Sequence, residues 1–160
     1  MPRLNRRTLI VSTAALAVLP STFALAATSE VQMLNKNPDD PKQRMVFYPR
    51  ILTVQPGDSV TFLATDRGHN SASIKGMLPD GAEAWNGKIN KEITVEFSAP
   101  GFYGYKCTPH ETVGMVGLII VEGDGKLANL EAAKGVKHRG RSKKVWAEIW
   151  AEADEAGLTA

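Results

Sequence analysis

The chain has 160 residues, enough for one domain or one domain with an appendage, and its 43% hydrophobic and 22% charged content excludes a largely disordered protein. The formal charge of +2 comes from the extreme N-terminus: without Arg3, Arg6 and Arg7 the counts are 16 basic and 17 acidic. That balance argues against binding nucleic acid through bulk charge.

Residues 1–26 read as a targeting segment. Three arginines precede an apolar stretch from Leu9 to Leu19, broken only by Ser12 and Thr13, and Ala24-Leu25-Ala26 offers an A-x-A cleavage site. The stretch is shorter than the roughly 20 residues of a membrane span, so an uncleaved anchor is the weaker reading and no membrane insertion is expected. Arg6-Arg7-Thr8-Leu9-Ile10 also suits twin-arginine export, with the general secretory route as the alternative. Either route implies a periplasmic product.

From Glu30 to Gly123 the pattern is short strands and turns. Val31–Leu34 and Met45–Phe47 are bounded by Asn, Asp and Pro clusters. Ile51–Val54 runs into Pro56-Gly57-Asp58, where Pro sets one corner's φ and Gly allows a positive φ at the next. Ser59–Ala64 and Ile93–Phe97 alternate in the way of half-buried strands. Between them, His69 to Lys91 carries Gly76, Pro79, Gly81 and Gly87 and reads as an irregular excursion. Pro100-Gly101 then turns the chain into Phe102–Cys107. Val116–Val121 is nearly all apolar, which suits a strand buried on both faces. Such strands, with no helix between them, predict an all-β antiparallel sandwich.

The tail differs. Leu127–Lys134 can form a short helix. A second begins at Ser142, a candidate N-cap, and places Val145, Trp146, Ile149, Trp150 and Ala153 on one stripe before Gly157 stops it. The stripe is short and its flanks mix charges, so it predicts a helix packed on the sandwich rather than on a membrane or partner. Gly135–Lys144 reads as a basic loop with a solvated His138. The expected organisation is an export signal over 1–26, a β domain over 27–123 and a helical tail over 124–160.

The chemistry gathers near the last two strands. Cys107 is the only cysteine, so an exported chain leaves it without an internal disulfide; it is either inertly buried or held by a metal. His110 and Met115 follow in a C-x2-H-x4-M spacing, and His69 lies just past an earlier strand end. Singly, each has a plain structural role: Cys and Met fill cores, and a histidine near a strand end makes hydrogen bonds. Together, thiolate, thioether and two imidazoles suit copper, and a His2Cys set with a weak axial Met is the blue-copper electron-transfer centre. Zinc accepts Cys and His, but Met is an unusual zinc ligand. A Cys–His hydrolase is the enzymatic rival, yet nothing nearby offers an orienting third group or an oxyanion site. A copper store or chaperone is the other rival; delivery proteins favour exposed Cys or Met pairs, unlike this single thiolate with two histidines.

Gly68-His69-Asn70, Lys106-Cys107-Thr108-Pro109-His110, Gly114-Met115, Pro56-Gly57-Asp58 and Gly81-Ala82-Glu83 resemble the cupredoxins, and among them the pseudoazurins, over about Val31 to Val121. The resemblance implies a cupredoxin-type Greek-key sandwich with a C-terminal helical extension, one copper per chain at His69, Cys107, His110 and Met115, and a monomeric electron carrier rather than an enzyme. It implies that Asn70 braces the ligand loops, that backbone N–H groups point at the cysteine sulfur, and that His110 is the electron port. It further implies an apolar patch of Met45, Gly68, Met77 and Pro109 around His110, ringed by Lys36, Arg67, Lys75, Lys88 and Lys106. Copper nitrite reductase or a similar reductase would be the acceptor and a cytochrome the donor. The tryptophan helix, its basic lead-in and the Asn37–Arg44 loop depart from the family pattern.

Overall fold

The computed structural model describes residues 25–160. The export signal expected over 1–26 therefore lies outside the described residues, except for Leu25 and Ala26, which are exposed coil.

Eight strands are arranged in chain order: β1 (Thr28–Lys36), β2 (Arg44–Tyr48), β3 (Ile51–Val54), β4 (Asp58–Leu63), β5 (Ala72–Ser73), β6 (Ile93–Phe97), β7 (Gly101–Lys106) and β8 (Val116–Val121). They form two four-stranded sheets, ordered β2-β1-β4-β6 and β3-β8-β7-β5. The sandwich matches the expectation, with one refinement. β1 runs parallel to β4, and β3 runs parallel to β8; the other pairings are antiparallel. Each parallel pair joins strands that are not consecutive, and a tight hairpin cannot connect parallel neighbours. The turn at Gln55–Asp58 forms as its sequence demands: Gly57 takes a φ of 93°, and the Asp58 amide donates to the Gln55 carbonyl at 3.0 Å. The Asp58 carboxylate accepts from the amides of Ala27 and Gln55, which lowers its pKa.

The period of two along each strand sorts the core into two layers. Val31, Met33, Val60, Phe62, Phe97, Tyr103, Tyr105, Ile119 and Val121 fill the space between the sheets. Val116, Leu118 and Ile120, on the other face of β8, meet Phe102 and the tail instead. This second layer explains why β8 is apolar throughout.

The tail is a 3-10 turn (Lys126–Asn129), then α1 (Leu130–Lys134) and α2 (Ser142–Glu155). The expected first helix is thus divided, and Leu127 points outward, 45% exposed. The stripe of α2 behaves as expected: Trp146, Ile149, Trp150 and Ala153 are buried against β7 and β8. Ile149, fully removed from water, contributes roughly 1.5–3 kcal/mol by itself. Gly157, at a φ of 70°, ends α2; its amide bonds the Asp154 carbonyl and that of Leu158 bonds the Ala153 carbonyl, the Schellman pattern.

Two expectations for the tail are corrected. Ser142 does not cap α2; it is the first helical residue, Arg141 holds the cap position, and the Ser142 hydroxyl donates to the carbonyl of Glu111. His138 is half-buried and not simply solvated: its ring stacks on Trp146 with centroids 5.0 Å apart, and its Nε2 is buried with no hydrogen-bond partner among the described residues.

Candidate metal centre

Two loops meet at one end of the sandwich. One follows β4 in the first sheet and carries His69. The other joins β7 to β8 in the second sheet and carries Cys107, a 3-10 turn (Thr108–Val113) with His110, and Met115. Pro109 sits in the first turn of that helix, where a missing N–H costs nothing. Gly114 closes it at a φ of 103°. The amide of Cys107 donates to the carbonyl of Met115 at 3.0 Å, and that of Met115 to the carbonyl of His110 at 3.1 Å. The loop is therefore folded back on itself by its own backbone bonds.

Three of the four residues singled out in the sequence converge by their donor atoms. His69 Nδ1 and His110 Nδ1 are 3.1 Å apart, and the Cys107 sulfur is 3.7 Å from the first and 3.5 Å from the second. A point equidistant from all three lies about 2 Å from each, close to the bond a metal ion makes to imidazole nitrogen. Met115, the fourth, is fully buried in the same core layer as Cys107. Cys107 and His69 are likewise fully buried, and only His110 is partly exposed.

Electrostatics suit a cation. Burial lowers the pKa of His69, and the neighbouring His110 adds to this against a weaker opposing effect of Asp66. The ring is neutral and offers a lone pair. Burial pushes the Cys107 thiol up, while N–H bonds from the Asn70 and His110 backbone pull it down. Net protonation of a buried thiol is what a metal ion reverses, displacing the proton as it binds. Soft sulfur donors with imidazoles are the ligand chemistry of copper, so the residues fit that ion.

Supporting residues hold the rings. The Asn70 side chain donates to the Gly87 carbonyl at 2.9 Å and to the Thr108 hydroxyl at 3.1 Å, and its oxygen accepts from the Thr108 amide at 2.8 Å. It braces the two ligand loops as expected. Asn35 was not singled out. Its side-chain oxygen accepts from His69 Nε2 at 3.0 Å, which leaves Nδ1 free to coordinate. Its own amide donates to Asp66 at 2.7 Å, stitching the His69 loop to the end of β1. The only sequence signal was an Asn inside a strand, a position it disfavours.

The surface around His110 is partly as expected. A Cβ on Gly68 would come to 4.0 Å from the His110 ring and Pro109 is exposed, while Met45, at a left-handed φ of 55°, is half-buried against the core between the sheets. Met77 is not on this face. It is fully buried in the second core layer, covered by the tail side of β7. Lys106 does not stand free in the ring either: its ammonium pairs with Glu111 at 2.6 Å. Lys36, Arg67, Lys75 and Lys88 are exposed and form no ion pair among the described residues.

Comparison with known proteins agrees with this geometry. Residues 12–122 match the family model of copper-binding proteins of the plastocyanin/azurin family. A pseudoazurin of Methylorubrum extorquens is 45% identical over 84% of this chain and 89% of its own length. A pseudoazurin of Paracoccus pantotrophus is 46% identical, over 81% of this chain and 85% of its own. Among solved structures, a pseudoazurin from Sinorhizobium meliloti superposes with a TM-score of 0.76 at 50% identity, covering 82% of this chain and 99% of that one.

Proposed function

The chain belongs to the plastocyanin/azurin family of copper-binding proteins, with the pseudoazurins, and is a blue-copper electron carrier rather than an enzyme; from this we propose that His69, Cys107, His110 and Met115 are its copper ligands, and that it works in the periplasm between a cytochrome donor and a reductase of the copper nitrite reductase kind.

The observation that carries the ligand assignment is the triangle of two imidazole nitrogens and one sulfur, with sides of 3.1, 3.5 and 3.7 Å. Copper supplies the redox step by cycling between Cu(I) and Cu(II). The protein's part is to keep the donors still while the charge changes. Asn35 fixes one imidazole and Asn70 ties the loops together. Burial of three ligands excludes water, and the partly exposed His110 gives the electron its shortest way out. A working unit of residues 27–123 with a tail over 124–160, released from an export signal and acting as a monomer, accords with this role.

The test is the absorption and EPR spectrum of the copper-loaded protein. Intense colour that bleaches reversibly on reduction is expected, lost in Cys107→Ser. Met115→Gln should retain a copper–thiolate band at a shifted potential. A fully coloured Cys107→Ser would overturn the ligand assignment. For the partner, reduced protein should pass electrons to copper nitrite reductase in stopped flow; failure to do so removes that acceptor.

A further inference from the structure

The loop that bears His110 is held from both sides, and only one side belongs to the sandwich. Asn70 grips its first residue, Thr108, from the His69 loop. Its last residues are gripped by the tail. The amide of Arg141 donates to the Thr112 carbonyl at 2.8 Å. The hydroxyl of Ser142, fully buried, donates to the Glu111 carbonyl. Gly140, at a φ of 59°, lies so close to Thr112 that a Cβ there would overlap its carbonyl. Val145 closes on Gly114, where a Cβ would come within 2.9 Å of its side chain. The tail thus satisfies the Thr112 carbonyl and gives that of Glu111, which already accepts from the Gly114 amide, a second donor from outside the loop.

We propose that Gly140, Arg141 and Ser142 form a clasp that positions the copper loop, making the tail part of the metal site's outer support and not only a cover for the sheet. The physical reason is leverage. His110 and Met115 lie on either side of Glu111 and Thr112, so fixing those two carbonyls restrains both ligands at once. Without the clasp, Thr108 remains tied to Asn70 while the far half of the loop is held only by its own backbone bonds and the Lys106–Glu111 pair, and the geometry that a bound ion requires is met for less of the time.

This inference rests on the ligand assignment above, but its test does not depend on copper alone. In the full-length copper-free protein, Ser142→Ala should speed amide hydrogen exchange at Gly114 and Met115. In the loaded protein it should release copper to a chelator about tenfold faster, the scale of losing an outer-shell partner, and shift the copper–thiolate absorption. Gly140→Ala, which forces the clasp open by steric overlap, should do the same. Ile149→Val is the control, since it opens a small void in the same helix without touching the loop; it should leave exchange, release and spectrum unchanged. Exchange at Gly114 and Met115 unaltered by both clasp variants would overturn the proposal. So would an equal response from Ile149→Val, which would reduce the effect to general loosening of the tail. If no variant or parent binds copper, the ligand assignment fails while the exchange result still decides the clasp.

Discussion

A histidine buried by an aromatic neighbour makes stability depend on pH, and His138 is in that position. Burial lowers its pKa below the ordinary value of 6.5; Glu111 opposes this and Lys106 adds to it. The unfolded chain therefore binds a proton at a higher pH than the folded one. Stability that is fully present above about pH 6.5 is lost as pH falls toward the folded value, because only the unfolded state gains the proton. His69 adds to the same fall, since it too is held unprotonated in the folded state, so the share of His138 is read from the difference between variant and parent. In the loaded protein, His138→Phe should flatten the fall in unfolding free energy between roughly pH 7 and 5, measured by urea titration; an undiminished fall in the variant would exclude His138 as its source. The candidate ligands were legible in sequence because a lone cysteine, with His and Met at fixed spacing, is a local pattern. Asn35, Ser142 and His138 were not. Each acquires its role from a partner that only the fold brings near: His69 for Asn35, Glu111 for Ser142, and Trp146 for His138.

Among the elements, α2 shows what periodicity can and cannot say. Its apolar stripe identified the buried face correctly, and Gly157 marked its end. The stripe did not say what the face would cover, because β8 offers two apolar faces and sequence does not rank them. The structure places the helix on the even-numbered residues, with Phe102 and Trp150 rings 5.8 Å apart. Ile149, fully buried in this layer, should cost about 2–5 kcal/mol when cut to Ala. A loss below about 1 kcal/mol, the range of surface substitutions, would mean the tail is not integral to the fold. Measurement of the denaturation midpoint decides it. The parallel pairings of β1 with β4 and β3 with β8 were likewise hidden. Strand patterns give faces, while pairing partners follow from loop paths and the twist of the whole sandwich. β5, two residues long, is too short for alternation to register at all.

Over the whole molecule, near-neutral charge conceals an uneven surface. With Lys106 spent on Glu111, the members of the expected ring that stay exposed and form no ion pair among the described residues are Lys36, Arg67, Lys75 and Lys88. Steering by such a cluster raises association rates by about 10-fold or more at low salt and fades as the Debye length shrinks. The second-order rate of electron transfer to an acidic redox partner should therefore fall steadily as ionic strength rises. Lys88→Glu should reduce both the rate and its salt slope, whereas Lys106→Gln should alter the slope little. A rate indifferent to salt would remove the charged docking face.

His69 hangs from the sheet that contains β4, and the other candidate ligands hang from the loop that completes β7 and β8. An ion shared among them would act as a rivet through both layers at one end of the sandwich. The layers could then part only after the rivet is drawn, so the loaded protein should resist unfolding more than the copper-free one. A cell short of copper would hold not a colourless version of the same carrier but a looser one, nearer to its proteases.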